Sequence, residues 1–159
     1  MSSSTDHPWI YDVFISFRGE DTRRTFISYL NAALSNAGIN TFVDDKELTK
    51  GEELGAGLER AIEGSHISIV VLSKNYAGSS WCLNELVHIL HCRQTYGQVV
   101  IPIFYNVDPT DVRKQKGAFG KAFELNATKK DDDQLLSKWK TALTEVSNLS
   151  GWDLSSIIR

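Results

Sequence analysis

The chain has 159 residues, enough for one domain with a core of its own and short for two. Its 42% hydrophobic and 23% charged residues and its three prolines exclude a disordered tail or a fibrous repeat, and the formal net charge of −3 gives no footprint of a nucleic-acid binder. No apolar run approaches the roughly 18–20 residues that span a bilayer, and the start MSSSTDHPW lacks the basic and apolar regions of a secretory signal. The expectation is therefore a cytoplasmic or nucleo-cytoplasmic protein with no membrane partner.

Residues 1–8 read as a loose polar leader and residues 9–159 as a single domain. Tyr11–Phe17 alternates and ends in the turn-prone Arg18-Gly19-Glu20-Asp21, which predicts a first strand. Over residues 22–37, Phe26, Leu30, Ala33 and Leu34 recur at helical spacing, with Gly38 as the C-terminal stop. Residues 40–43 make a short strand, residues 44–52 a charged loop, and residues 54–63 a helix ended by Gly64.

Two β-branched, apolar runs, residues 66–72 and 99–105, have the composition of strands buried on both faces. Between them Ser80–Tyr96 reads as a helix with Ser79 as its cap. Short helical pieces follow over residues 112–127, then the charged break of residues 129–133. Beyond it lies a helix carrying Leu136, Trp139, Leu143 and Val146 on one stripe. Residues 151–154 read as a fifth strand and residues 155–159 as the start of a further helix.

Alternating strands and helices predict an α/β fold: a five-stranded parallel sheet, flavodoxin-like, with helices on both faces. In that arrangement ligands bind beyond the carboxyl ends of the strands, where strand order reverses, between the first and third strands. The loop at Phe17, Arg18 and Gly19 should then face residues 73–85. Trp81 and Glu85, four apart, share a helical face at that end.

Several features carry a bland reading. Cys82 and Cys92 lie about 15 Å apart along one helix, too far for a disulfide, and a reduced compartment makes the glycosylation patterns at Asn126 and Asn148 coincidental. Cys82, His88, His91 and Cys92 have no second ligand cluster, so no metal is expected. Gly55-Ala-Gly57 lacks the third glycine and the preceding strand of a dinucleotide fingerprint. A glutamate early in a helix commonly complements the helix dipole; Arg18 can simply pair with Glu20 or Asp21 at the surface; Trp81 caps the edge of the core or touches a ligand.

The motifs DVFISFRGEDTR (residues 12–23), KGE (50–52), SKNYA (73–77), WCLNEL (81–86), IPIFYNVDPTDVR (101–113) and LSGW (149–152) together resemble the Toll/interleukin-1 receptor (TIR) domain found at the N-terminus of plant nucleotide-binding leucine-rich-repeat immune receptors. The resemblance implies a domain that self-associates with other TIR domains and works beside the nucleotide-binding and leucine-rich-repeat regions of its receptor. It also implies cleavage of NAD⁺ to nicotinamide and ADP-ribose-type nucleotides that trigger defence and cell death, with NAD⁺ as substrate and no cofactor.

On this resemblance Glu85 is the catalytic glutamate. Phe17, Arg18, Gly19, Asp44, Ser73, Trp81 and Cys82 are substrate-binding, and the loop of residues 44–57, with Lys50, Gly51 and Glu52, closes over the site. Ser28 and Tyr29 belong to one self-association surface and Gly151 to another. Tyr29 stands where many relatives have histidine and Lys50 where arginine is common. A second reading is a TIR scaffold without turnover; a third, weaker one is nucleic-acid processing by assembled domains, for which the acidic composition gives no support.

Overall fold

The computed structural model describes residues 7–44 and 55–154. Strand β1 (Tyr11–Phe17) runs through the middle of a parallel sheet with β2 (Thr41–Val43), β3 (Ser65–Leu72), β4 (Val99–Phe104) and β5 (Trp152–Asp153), in the order β2-β1-β3-β4-β5. Chain order reverses between β1 and β3, so the switch point lies where the flavodoxin-like reading put it. Side chains alternate across the pleat. Phe14, Val70, Leu72 and Phe104 join the core on one face, while Val13, Ile15, Phe17 and Val71 join a smaller core on the other.

The larger core is covered by α3 (Ala56–Glu63), α4 (Ser80–Tyr96), α5 (Pro109–Lys114), α6 (Gly117–Ala127) and α7 (Asp133–Ser147). Trp139 of α7 is fully buried there, and its indole N–H donates to Asn84 Oδ1 of α4 at 3.0 Å. At about 25 cal/mol per Å² of apolar surface, a buried aromatic of this size contributes a few kcal/mol. Glu63, His7, Trp9, His66 and Tyr96 close the amino end of the sheet. His7 stacks on Tyr96 at 4.0 Å and donates to the Glu63 carbonyl at 2.6 Å, and Trp9 stacks on His66 at 4.3 Å. His7, which the sequence reading leaves in the leader, is thus docked.

The helix expected over residues 22–37 starts earlier and is not uniform. A single turn, α1 (Gly19–Thr22), leads into a π-helical stretch, Arg23–Ile27, before α2 (Ser28–Asn36). The wide turn buries Ile27 and brings Phe26 to 5.4 Å from Tyr105, ring to ring. None of the α2 residues is fully buried. The expected stop holds: Gly38 has φ +79°, and Ile39 N donates back to Leu34 O.

The helical pieces expected from residue 112 begin at Pro109, because Asp108 caps α5 through Thr110 N and proline fits the first helical position. Asp132, inside the charged break, caps α7 through Leu135 N. A short 3₁₀ turn at Tyr76–Gly78 was not foreseen. Residues 155–159 lie outside the described residues, as do Lys50, Gly51 and Glu52 of the expected closing loop.

Candidate active site

Helix α4 places the chemistry. Ser79 is extended, and its Oγ accepts from Cys82 N at 3.1 Å, a cap that contributes about 1 kcal/mol. Gly97, at φ +75°, ends the helix in the left-handed conformation glycine tolerates. Between these stops, Cys82, Leu83, Leu86, Ile89 and Leu90 face the core, and Glu85 lies among them with 1% of its surface exposed. Glu85 therefore sits in the second turn, beyond the reach of the dipole argument, which fades within the first turn. A buried carboxyl carries a desolvation cost that a surface glutamate avoids, so the bland reading loses its footing.

The ends of β1 and β3 converge on this helix. Ser16, one pleat beyond Phe14 on the α4 side, donates from Oγ to Glu85 Oε1 at 2.8 Å. The same Oγ is 2.8 Å from the Tyr76 hydroxyl, which in turn donates to the Cys82 carbonyl at 3.1 Å. The Cys82 thiol donates to the Phe17 carbonyl at 3.4 Å. Asp21, in the turn after β1, accepts three hydrogen bonds from the segment after β3: Ser73 Oγ at 2.5 Å, Asn75 N at 2.8 Å and Asn75 Nδ2 at 2.9 Å. Bonds to a charged acceptor contribute about 1.5–3 kcal/mol each, so the two walls of the crevice are tightly joined.

From the third wall, Asp44 at the end of β2 is buried and accepts the Trp81 indole N–H at 2.6 Å. Trp81 itself is half-buried, at the mouth. Phe17, Asp44, Ser73, Trp81, Cys82 and Glu85 all lie around the crevice, in different settings. Phe17 turns its ring to the opposite face, under the Arg23 guanidinium at 4.8 Å, and lends the crevice only its carbonyl. Ser73 and Cys82 spend their hydrogens on protein partners. Arg18 makes the surface pair that was its bland reading, with Glu20 at 3.4 Å, and Gly19 opens α1.

Ser16, Asp21, Asn75 and Tyr76 were missed. Ser16 had left a signal: a lone hydroxyl on the core side of an otherwise apolar strand must find a buried partner. Of the association residues, Ser28 and Tyr29 lie exposed on α2, Tyr29 at 79%. Gly151 is exposed too, yet a Cβ there would stand 2.0 Å from the Pro102 carbonyl oxygen, so glycine is required by the fold itself.

An open groove of about 1050 Å³ lies away from this crevice, between α4 and α7, lined by Asn84, His88, His91, Lys138, Trp139 and Glu145 among others. Its polar groups are mostly surface side chains, and Asn84 accepts the Trp139 indole N–H. Among the described residues no group of three or more His, Cys, Asp or Glu side chains is arranged to hold a metal ion. The groove is therefore separate from the buried polar cluster around Glu85 at the switch point.

The family model for the TIR domain matches residues 10–158. The chain belongs to the TIR family. It is 55% identical over 151 residues to TMV resistance protein N of Nicotiana glutinosa, covering 94% of this chain and 13% of that protein. It is 51% identical over 158 residues to disease resistance protein RPV1 of Vitis rotundifolia, covering 96% of this chain and 11% of the relative. Among solved structures, the TIR domains of the activated Roq1 resistosome, which directly recognizes the pathogen effector XopQ, superimpose with a TM-score of 0.85 at 49% identity, over 94% of this chain and 90% of that one. This TIR domain thus spans about one-eighth of the length of the plant disease resistance proteins it resembles.

Proposed function

We propose that this TIR domain, when assembled with copies of itself, cleaves NAD⁺ between nicotinamide and ribose, with Glu85 as the catalytic carboxylate. The observation that carries the reading is the position of Glu85: a carboxyl buried in the second turn of α4, at the topological switch point, oriented by Ser16. A carboxyl kept there against its desolvation cost is a functional-site feature.

The chemistry needs one such group. In NAD⁺ the bond from ribose C1′ to the pyridinium nitrogen breaks with its electron pair leaving on nitrogen, so nicotinamide departs neutral and no general acid has to protonate it. Glycosidases that expel an alkoxide use two carboxyl groups, whereas a single carboxylate serves here to stabilise the oxocarbenium-like C1′. Water then bonds to C1′ and loses a proton, giving ADP-ribose. Trp81, at the mouth, offers an aromatic face to a nucleotide ring. Other acceptors at C1′ would give related nucleotides from the same bond cleavage.

Assembly enters the proposal through two observations. The Roq1 TIR domains, similar in fold and sequence, belong to a resistosome, and Ser28 and Tyr29 lie exposed on α2. We place the domain beside nucleotide-binding and leucine-rich-repeat regions of a longer cytoplasmic receptor, which would supply proximity and raise its effective concentration, so that cleavage signals defence and cell death. A scaffold without turnover is the second reading, supported by the exposure of Ser28 and Tyr29 on α2, which association needs with or without turnover. The decisive assay is nicotinamide release from NAD⁺ by the domain fused to an oligomeriser. Release that Glu85→Gln abolishes supports the enzyme; an assembled, folded parent that releases none establishes the scaffold.

A further inference from the structure

We infer that Asp21 and Asn126 are positioning residues that clasp the Tyr76–Gly78 turn from two sides and so fix where α4 begins, an inference that rests on the reading of Glu85 as the catalytic carboxyl. The turn joins β3 to α4, and its backbone bonds form a continuous series. Tyr76 N donates to Ser73 O at 3.1 Å, Gly78 N to Asn75 O at 3.0 Å and Ser79 N to Tyr76 O at 3.2 Å, after which Ser79 caps the helix. Wherever this segment sits, the first turn of α4 follows. Glu85 lies close behind, about 7.5 Å along the axis from Ser80.

One clasp comes from α1. The Asp21 carboxylate accepts from Ser73 Oγ at 2.5 Å, from Asn75 N at 2.8 Å and from Asn75 Nδ2 at 2.9 Å. The other comes from α6. Asn126, 7% exposed, donates from Nδ2 to Ala77 O at 3.3 Å and accepts at 3.0 Å from the Oγ of Ser80, the first residue of α4. Asn126, singled out in the sequence only by a glycosylation pattern, therefore has a part in the fold. Each clasp holds the main chain itself, at Asn75 N on one side of Tyr76 and at Ala77 O on the other.

Apolar packing also holds α4, through the fully buried Leu83, Leu86 and Ile89. That attraction is non-directional, whereas hydrogen bonds fix both distance and angle. The core therefore keeps α4 on the sheet, and the two clasps set where along the sheet it starts. Catalysis is sensitive to the difference, because misplacing a reacting group by about 1 Å costs about 100-fold in rate. Trp81, which follows Ser80, is placed by the same bonds. Two elements that lend no side chain to Glu85, α1 and α6, thus enter the geometry of the crevice.

The test removes each clasp in turn and reads the position of α4 apart from its activity. The reporter is the Trp81 indole N–H, which reaches Asp44 at 2.6 Å, observed by proton–nitrogen NMR and assigned by its loss in Trp81→Phe. Asp21→Ala and Asn126→Ala should each shift it, while the Trp9 indole, stacked on His66 at the amino end of the sheet, stays in place. In the fused oligomer both substitutions should lower kcat for nicotinamide release per folded molecule by about 10- to 100-fold. Asp21→Asn should keep kcat within about 3-fold of the parent, because asparagine offers an oxygen to Ser73 Oγ and Asn75 N, and its amide hydrogens meet the oxygen of a turned Asn75 amide. A Trp81 resonance that neither alanine variant moves overturns the clasp, and so do variants that shift Trp81 yet keep the parent kcat. An Asp21→Asn whose kcat falls as far as that of Asp21→Ala overturns it too, since the charge is then the agent. Ser73→Ala, which removes one bond of the Asp21 clasp, decides by the same Trp81 shift where the larger variants do not fold. Shifted Trp81 resonances beside a parent oligomer that releases no nicotinamide sink the enzyme reading and leave the clasp standing. An unmoved Trp81 beside an active parent does the reverse.

Discussion

Each end of the sheet buries a polar network, and the two are made of different groups. At the amino end Gln98 donates to the Ile62 and Ser65 carbonyls at 2.7 and 2.8 Å and accepts from Ser68 at 2.7 Å, while Ser65 donates to the Ala61 carbonyl at 2.7 Å. These groups are neutral amides and hydroxyls, and they tie α3, β3 and β4 together. At the carboxyl end the network of Ser16, Tyr76 and Cys82 includes a carboxyl, Glu85, and opens on the crevice through Trp81. A fold can satisfy buried polar groups with neutral partners alone, so the carboxyl at the second end is the feature that the proposed cleavage of NAD⁺ would explain.

That contrast is exposed to four experiments. The largest effect is expected from Glu85→Gln, which should lower nicotinamide release by the fused oligomer by about 100-fold or more. Its urea unfolding free energy should stay within about 1 kcal/mol of the parent, since the amide oxygen can still accept from Ser16 Oγ. A stability loss that matched the loss of activity would erase the distinction between the two ends.

Gln98→Leu is the mirror experiment. It leaves two buried carbonyls and the Ser68 hydroxyl without their partner and should cost about 3 kcal/mol in urea unfolding, with nicotinamide release per folded molecule unaltered. Gly151→Ala follows, at about 2 kcal/mol, because a methyl against the Pro102 carbonyl pushes β5 away from β4. Stability measured on dilute monomer separates this from any effect on association; an unchanged stability there would return Gly151 to a purely interfacial role.

The smallest effect concerns the thiol toward the carboxyl end of α4. Burial, helped by the charge of Glu63, pushes Cys92 from the ordinary 9.0 up to about 12. The folded state therefore disfavours the thiolate, and the stability this group supports is intact below about 9 and lost as pH rises toward 12. Iodoacetamide at pH 8 should leave Cys92 unmodified in the folded protein and alkylate it after urea denaturation. Rapid labelling without denaturant would show that this end of the helix opens locally.

Much of this was legible in the sequence. Tyr11–Phe17 and Ser80–Tyr96 were bounded as observed, since alternation in the one and the Ser79 cap of the other are local signals. The crevice followed from topology and the shared helical face of Trp81 and Glu85 from their spacing, while the role expected of Glu85 came from the family resemblance. What escaped depends on partners distant in sequence. Asp21 looked like a turn residue because its acceptor role appears only when Ser73 and Asn75 arrive from β3. Tyr76 reads as a loop tyrosine until the 3₁₀ turn drives it into the core beside Ser16.

The π-helical stretch at Arg23–Ile27 bears on how this surface evolves. Such a stretch holds an extra residue within an otherwise regular helix. Deleting one residue there would restore α-helical winding and turn everything beyond it by about 100° about the helix axis. Ser28 and Tyr29 would then point elsewhere with neither of them mutated, so a lineage can redirect the face it offers to neighbours through a single-codon deletion, while the crevice on the other side of the sheet is left alone.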